Sequence, residues 1–169
     1  MLGGGPIGLL YGKVAKLNGA NKLILSEQSD IRRKIAKFYC ADIVVDPVKE
    51  DLEKIVLKET KIGADIVIDA VGSLLVDGIK LLRKGGRMLL FGLNTEHVSN
   101  IKQFDLVINE KQVIGAFVAN CYFPSAIKVV ESGRMELEKL ITCKFNLNDI
   151  HKGIDLLKKG EAIKVIIEP

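Results

Sequence analysis

The sequence predicts a doubly wound α/β sheet. Three observations carry this reading: apolar runs rich in β-branched residues recur along the chain, amphipathic helical periods separate them, and a glycine-rich turn precedes the first helical period. The runs at residues 22–26, 42–45, 64–69, 87–91 and 112–118 are continuous rather than alternating, as expected of parallel strands covered on both faces. Ile7, Leu10, Tyr11, Val14 and Leu17 follow helical spacing. Ile31, Ile35 and Phe38 repeat it behind an N-cap at Ser29. Leu52, Ile55 and Val56 mark a third helix; Leu75, Ile79 and Leu82 mark a fourth, stopped at Gly85-Gly86. After Val118 the texture changes. A helix near 125–131 stops at Ser132-Gly133, a short strand covers 140–145, a helix through Ile150, Ile154 and Leu157 ends at Gly160, and a last strand covers 163–167. A boundary over 118–123 divides a first unit, residues 1–118, from a C-terminal segment, residues 119–169.

Composition narrows the function classes. The chain has 169 residues, 48% hydrophobic and 27% charged, enough for one core without metal or disulfide support. Its 25 Lys and Arg against 21 Asp and Glu leave +4, spread without a block of like charge, which argues for a solvated surface and against nucleic acid. No apolar run reaches the ~18 residues of a membrane span, and the start has no basic n-region of a signal peptide. Cys40, Cys121 and Cys143 are widely spaced and form no CxxC, so neither a disulfide framework nor a zinc cage is expected. A reducing compartment, the cytoplasm, fits them best.

Gly3-Gly4-Gly5-Pro6-Ile7-Gly8 reads GxGxxG, the dinucleotide signature of the Rossmann fold. Gly3 permits a tight turn, Gly5 lets a pyrophosphate approach the backbone, and Gly8 lets the helix pack closely on the sheet. Pro6 suits the first helical turn, and Ile7 continues it, so that the positive end of the helix faces the phosphates. Glu27 ends the next strand, 19 residues past Gly8, close to the ~20 expected of the acid that accepts ribose hydroxyls. A carboxylate there repels a 2′-phosphate, so the coenzyme expected is NAD. Arg32 and Arg33 pull the other way, since an arginine near the acid can accommodate that phosphate; as first-turn helix charges they read more simply as surface. Ligands in such sheets lie beyond the carboxyl ends of the strands, which makes Val71-Gly72, Phe91-Gly92-Leu93 and Ala116-Phe117-Val118 the walls of the pocket. The turn begins at residue 3, where a central strand should precede it, so the first strand reads as truncated to Met1-Leu2 and the chain as a fragment of a larger protein.

Taken in order, Gly3–Gly8, Leu25-Ser26-Glu27 with Arg32-Arg33, Ala41-Asp42, Gly63-Ala64-Asp65-Ile66-Val67-Ile68-Asp69, Gly85-Gly86-Arg87 and Gly160-Glu161-Ala162-Ile163-Lys164-Val165 resemble the medium-chain dehydrogenase/reductases. Within them the closest likeness is to the zinc-dependent alcohol, polyol and threonine dehydrogenases. The resemblance implies a coenzyme-binding domain followed by a segment that returns to a catalytic domain. It places Arg32 beside the adenosine ribose, Lys164 at the pyrophosphate, and the loop at Ala116–Val118 at the nicotinamide carboxamide. It implies hydride transfer from an alcohol to nicotinamide, with zinc and its ligands in the parent enzyme. This chain carries no catalytic residue and no metal ligand set: His97 and His151 are isolated. Cys40 departs from the pattern, standing where the family has a glycine suited to left-handed geometry. The resemblance also implies a homodimer through the edge strand Gln112–Val118, which is apolar on both faces and free of proline. Three other readings stay open: a nucleotide-sensing regulatory module, the zinc-free NADPH quinone reductase branch, and a methyltransferase.

Overall fold

The computed structural model describes residues 1–117 and 122–169. Five parallel strands, β1 (Ile24–Ser26), β2 (Ile43–Val45), β3 (Ala64–Asp69), β4 (Leu82–Leu90) and β5 (Gln112–Gly115), alternate with helices α1 (Pro6–Leu17), α2 (Asp30–Tyr39), α3 (Leu52–Thr60), α4 (Leu75–Leu81) and α5 (Gln103–Ile108). β1 pairs with β2, and β3, β4 and β5 pair in that order. Leu2 closes the gap, bridging Ser26 on one side and Asp69 on the other in the parallel sense. Its N–H donates to the Ile68 carbonyl (2.9 Å), its own carbonyl accepts from Ala70 (3.0 Å), and Gly3 N–H donates to Ser26 (2.9 Å). Residues 1–3 therefore occupy the centre of the sheet, between β1 and β3, where the strand order reverses. Toward the amino ends of the strands the gap stays open as a cavity of about 540 Å³, bounded by Leu23, Ile24, Ile66 and Val67 among others. That opening leaves Ile66 51% exposed in the middle of the sheet. This cavity lies at the edge opposite the glycine turn.

Pleating sends alternate residues to the two faces of the sheet. Leu25 joins a core with Leu9 of α1 and Ala36 and Tyr39 of α2, while Leu2 and Val67 join one with Val56 of α3 and Ile79 of α4. Helices thus cover both faces, which is the doubly wound arrangement. The helical periods are found; on α3 and α4 the expected Val56 and Ile79 are buried, while on α1 and α2 the buried faces are offset from the expected ones. On α1 the buried residues are Gly8, Leu9 and Gly12, and Ile7, Val14 and Leu17 are exposed. On α2 Ala36 and Tyr39 are buried and Phe38 is 72% exposed, with the Lys139 ammonium 5.1 Å from its ring centroid. Small residues set these contacts because they allow the helices to lie close. Ser29 caps α2 as expected, accepting from Arg32 N–H.

Gly85-Gly86 does not stop α4. The helix ends at Leu81, and β4 runs through both glycines in a wide bulge: Ala64 faces Leu82, yet Ile66 faces Arg87. Gly85 adopts φ +70° there. α5 falls in a stretch without an expected helix; it is short and buries no residue. β5 ends at Gly115, and the expected strand end at Val118, most of the 118–123 boundary and Cys121 lie outside the described residues.

The C-terminal segment contains α6 (Phe123–Glu131), β6 (Ile141–Asn146), α7 (Ile150–Lys158) and β7 (Lys164–Glu168), with β6 and β7 forming a separate parallel pair. It packs back on the first unit. Leu140 and Ile163 complete the core under α1 and α2, and the Tyr39 hydroxyl donates to the Met135 carbonyl. Glu136 pairs with Lys13 of α1 and with Lys139, and these two bonds draw its carboxyl down to about 2.

Cys40 sits at φ −154°, so the turn after α2 does not use the left-handed geometry a glycine would serve, and the thiol costs no backbone strain. Gly12 makes room for it: a Cβ there would stand 2.7 Å from the Cys40 Sγ. Burial pushes this thiol up to about 11. The folded pKa is raised, so any stabilisation from the protonated thiol is complete below its ordinary value near 9 and is lost as pH rises toward 11. The folded chain at pH 8 should therefore leave Cys40 unmodified by iodoacetamide, with labelling appearing in denaturant; peptide mass mapping reads both, and rapid native labelling would contradict the burial.

Candidate functional site

The carboxyl ends of the central strands converge on the glycine turn. Gly3 holds φ +96°, and Gly5 is the N-cap of α1 with Pro6 at the first helical position. The first intrahelical bond runs from Leu9 N–H to the Gly5 carbonyl (3.0 Å), so the N–H groups of Ile7 and Gly8 precede the ladder, and no side chain caps them. Gly8 is pressed against the turn itself: a Cβ would lie 2.1 Å from the Gly3 carbonyl oxygen. Gly5 instead faces open space, its Cβ position meeting only Arg32 Nη1 at 3.9 Å. A backbone cradle with uncapped N–H groups and room above it is what an anionic pyrophosphate requires.

Glu27 stands directly on this turn. Its Oε2 accepts from Gly4 N–H (2.7 Å) and its Oε1 from Ser29 N–H (2.9 Å). The acid and the glycines, read separately in the sequence, form one structure. Arg32 lies beside them. Its Nη2 makes a long contact to the Ala162 carbonyl (3.5 Å), and its buried Nε has no partner. Ser29 Oγ donates to the Gly160 carbonyl (2.8 Å), tying the start of α2 to the C-terminal segment.

The wall follows the strand order. Val71 touches the turn, since a Cβ on Gly3 would come 2.9 Å from Val71 Cγ2. Gly72 (φ +96°) backs onto Gly92, where a Cβ would fall 2.2 Å from Gly72 N. Phe91 packs edge-on against Tyr11 of α1 at 5.1 Å, and Ala116 N–H bonds the Leu90 carbonyl (3.0 Å). Val71, Leu93 and Phe117 are exposed. Lys164 is exposed on β7, paired through its backbone with Ile141; its ammonium makes no contact with the turn among the described residues. The structure therefore gathers Gly3, Gly5, Pro6, Ile7, Gly8, Glu27, Arg32, Val71, Gly72, Phe91 and Gly92 at one edge, with Ala116 at the neighbouring strand end.

Two acids were not singled out by sequence reasoning. Asp69, 1% exposed at the end of β3, accepts from Val71 (2.8 Å) and Gly72 (2.9 Å) through Oδ1 and from Leu74 (3.0 Å) through Oδ2. An Asp between an apolar strand and a glycine is the signal that could have found it. Asp46, at the end of β2, binds the Arg33 guanidinium (3.2 Å). Among the described residues no group of three or more His, Cys, Asp or Glu side chains is placed to hold a metal ion, so the donors present do not fit zinc.

A parallel sheet reversing its order at a glycine turn, with an acid bonded to that turn, defines the Rossmann-like dinucleotide-binding class. Residues 6–132 match the zinc-binding dehydrogenase family, and the chain belongs to it. It is 32% identical to the erythritol/L-threitol dehydrogenase of Mycolicibacterium smegmatis, over 99% of this chain and 47% of that protein. It is also 32% identical to the L-threonine 3-dehydrogenase of Thermococcus kodakarensis, over 99% and 49%. The chain thus spans about half the length of these relatives. Solved structures agree. A Sinorhizobium meliloti protein described as a zinc-binding dehydrogenase and bound to NADP superimposes with a TM-score of 0.86 at 28% identity, over 99% of this chain and 51% of that one. A short chain alcohol dehydrogenase from E. coli complexed with NADH gives 0.87 at 27%, over 97% and 50%.

Proposed function

We propose that the chain is the coenzyme-binding part of an alcohol, polyol or threonine-type dehydrogenase and that its coenzyme is NAD. The observation that most supports this reading is the Glu27 carboxylate bonded to Gly4 N–H at 2.7 Å, which puts a ribose acceptor and a pyrophosphate cradle within one turn. Gly3, Gly5, Ile7 and Gly8 hold the pyrophosphate, with Pro6 setting the start of α1. Glu27 accepts the adenosine ribose hydroxyls and disfavours a 2′-phosphate. Arg32 flanks that ribose, and Lys164 reaches the pyrophosphate. Val71, Gly72, Phe91, Gly92, Leu93, Ala116 and Phe117 wall the nicotinamide side. When bound, NAD supplies the hydride acceptor; the protein binds and orients it. No residue of this chain is assigned to the chemical step, and the segment 119–169 returns to a catalytic domain in the full-length enzyme. β5, exposed at all four residues, forms the edge through which two copies join. The expected location is the cytoplasm.

Calorimetric titration tests the reading. NADH should bind the 169-residue chain, NADPH should bind more weakly, S-adenosylmethionine should not bind, and adding alcohols to the NAD-loaded chain should produce no NADH. Absence of NADH binding by the folded chain, or S-adenosylmethionine binding in its place, overturns it. Light scattering on the same samples should give twice the monomer mass; a monomer at high concentration removes the edge-strand dimer.

A further inference from the structure

Arg33 is one of the two arginines, with Arg32, that the sequence offers to a 2′-phosphate, and its guanidinium is already engaged. Nη1 donates to the carbonyls of Glu27 (2.8 Å) and Gln28 (2.6 Å). Nη2 faces Asp46 Oδ2 at 3.2 Å and Asp30 Oδ1 at 3.5 Å. The Arg33 and Asp46 side chains are only 13% and 10% exposed. The other charges around the pair are Lys49, 3.7 Å from Asp46 on an exposed arm, Lys34, which pairs with Asp30, and Glu50, whose carboxylate accepts Asp46 N–H (2.9 Å). Asp46 itself is held by Val48 N–H on Oδ1 (3.1 Å). β2 and β1 are neighbours, and Glu27 N–H bonds the Val45 carbonyl (3.0 Å), so this pair sits directly beside the turn that carries the Glu27 carboxylate.

Resting on the reading that Glu27 holds the adenosine ribose, we infer that Arg33 and Asp46 are a positioning pair that sets the choice of coenzyme. Arg33 pins the two carbonyls at Glu27 and Gln28, so that the Glu27 carboxylate keeps its bonds to Gly4 and Ser29. Asp46 neutralises the guanidinium in that arrangement, so that no uncompensated positive charge stands where a 2′-phosphate would have to come. Without Asp46, the Arg33 guanidinium keeps only the longer ionic contact to the exposed Asp30, which Lys34 shares, and its charge is then available to a phosphate at that position.

Calorimetry with NADH and NADPH on the 169-residue chain tests this. Asp46→Asn should improve NADPH affinity relative to NADH by about tenfold, the scale of one charge interaction near a protein surface. Adding Arg33→Met to Asp46→Asn should remove the gain, because the gain is the guanidinium's. Arg33→Met alone should weaken NADH by about fivefold, with no improvement in NADPH, and should speed amide hydrogen exchange at Gly4 and Ser29. An unchanged coenzyme ratio in folded Asp46→Asn, or a gain that survives Arg33→Met, overturns the proposal. Should Asp46→Asn not fold, unaltered exchange at Gly4 and Ser29 in Arg33→Met overturns it alone. Wild-type binding of NADH decides the parent reading separately, and the exchange measurement needs no coenzyme.

Discussion

Asp69→Ala should lower the midpoint of thermal unfolding by about 10 °C, which circular dichroism can measure. The carboxylate is buried and accepts from three loop amides, those of Val71, Gly72 and Leu74. Alanine leaves all three half-buried donors without this partner. A stranded buried donor costs ~1–3 kcal/mol, and partial rehydration brings the sum to about 4 kcal/mol. At ~2–4 °C per kcal/mol for a chain of this size, that is a shift of about 10 °C. Asp69→Asn tests the mechanism, because the amide keeps one acceptor oxygen and loses the other; its loss should fall between alanine and wild type. The effect should also reach the site. Gly72 backs onto Gly92 with no space for a side chain, and both Phe91 and Gly92 donate to the Asp69 carbonyl (3.0 and 2.9 Å). A loosened 70–74 loop therefore displaces the wall beside the glycine turn. An Asp69→Ala chain that melts with wild type would show that this loop is held by something other than its carboxylate.

Features that depend on residue type and local spacing were legible in the sequence. The GxGxxG run and Glu27 were legible because the demands on them are local: positive φ at Gly3, no Cβ at Gly8, an acid at a strand end. The strands were legible because strands covered on both faces are apolar at successive positions, as in the Ile43–Val45 run, where Val45 is buried and Ile43 and Val44 are half-buried. The packed faces of α1 and α2 were not. A hydrophobicity pattern rewards Ile7, Val14 and Leu17 and ignores Gly8 and Gly12, yet close approach to the sheet is set by what a residue lacks. Asp69 and Asp46 were missed for a related reason. Each acts by accepting bonds or charge from groups that only the turned loop brings near, so the bare letter Asp carries little information. Arg33 shows the converse, since its sequence position suggested a phosphate and its neighbours give it another task. The bulge at Gly85-Gly86 was read as a stop because a glycine pair ends a helix and kinks a strand with the same letters.

Gly8→Ala should reduce NADH affinity by about 100-fold, or ~2.7 kcal/mol, in the same titration. Alanine favours helix over glycine by ~1 kcal/mol, so propensity alone predicts a gain for α1. Sterics decide against it. The new Cβ would stand 2.1 Å from the Gly3 carbonyl oxygen and 3.0 Å from the Gly3 carbonyl carbon, and both are backbone atoms of the turn. Neither can swing aside as a side chain does. Relief requires α1 to move off the sheet or the turn to open, and either motion takes the Ile7 and Gly8 N–H groups away from the position they share with Gly5. Gly12→Ala is the control within the same helix. Its Cβ would meet the Cys40 Sγ at 2.7 Å and Leu23 Cδ2 at 2.9 Å, which are side-chain ends able to give way, and the propensity gain is the same. That variant should bind NADH within about threefold of wild type, a difference below the tenfold that 1.4 kcal/mol represents. Equal losses in the two variants would assign the effect to the packing of α1 in general. A Gly8→Ala chain that binds as well as wild type would mean that the coenzyme does not rest on this turn, and the role given to Glu27 would fall with it.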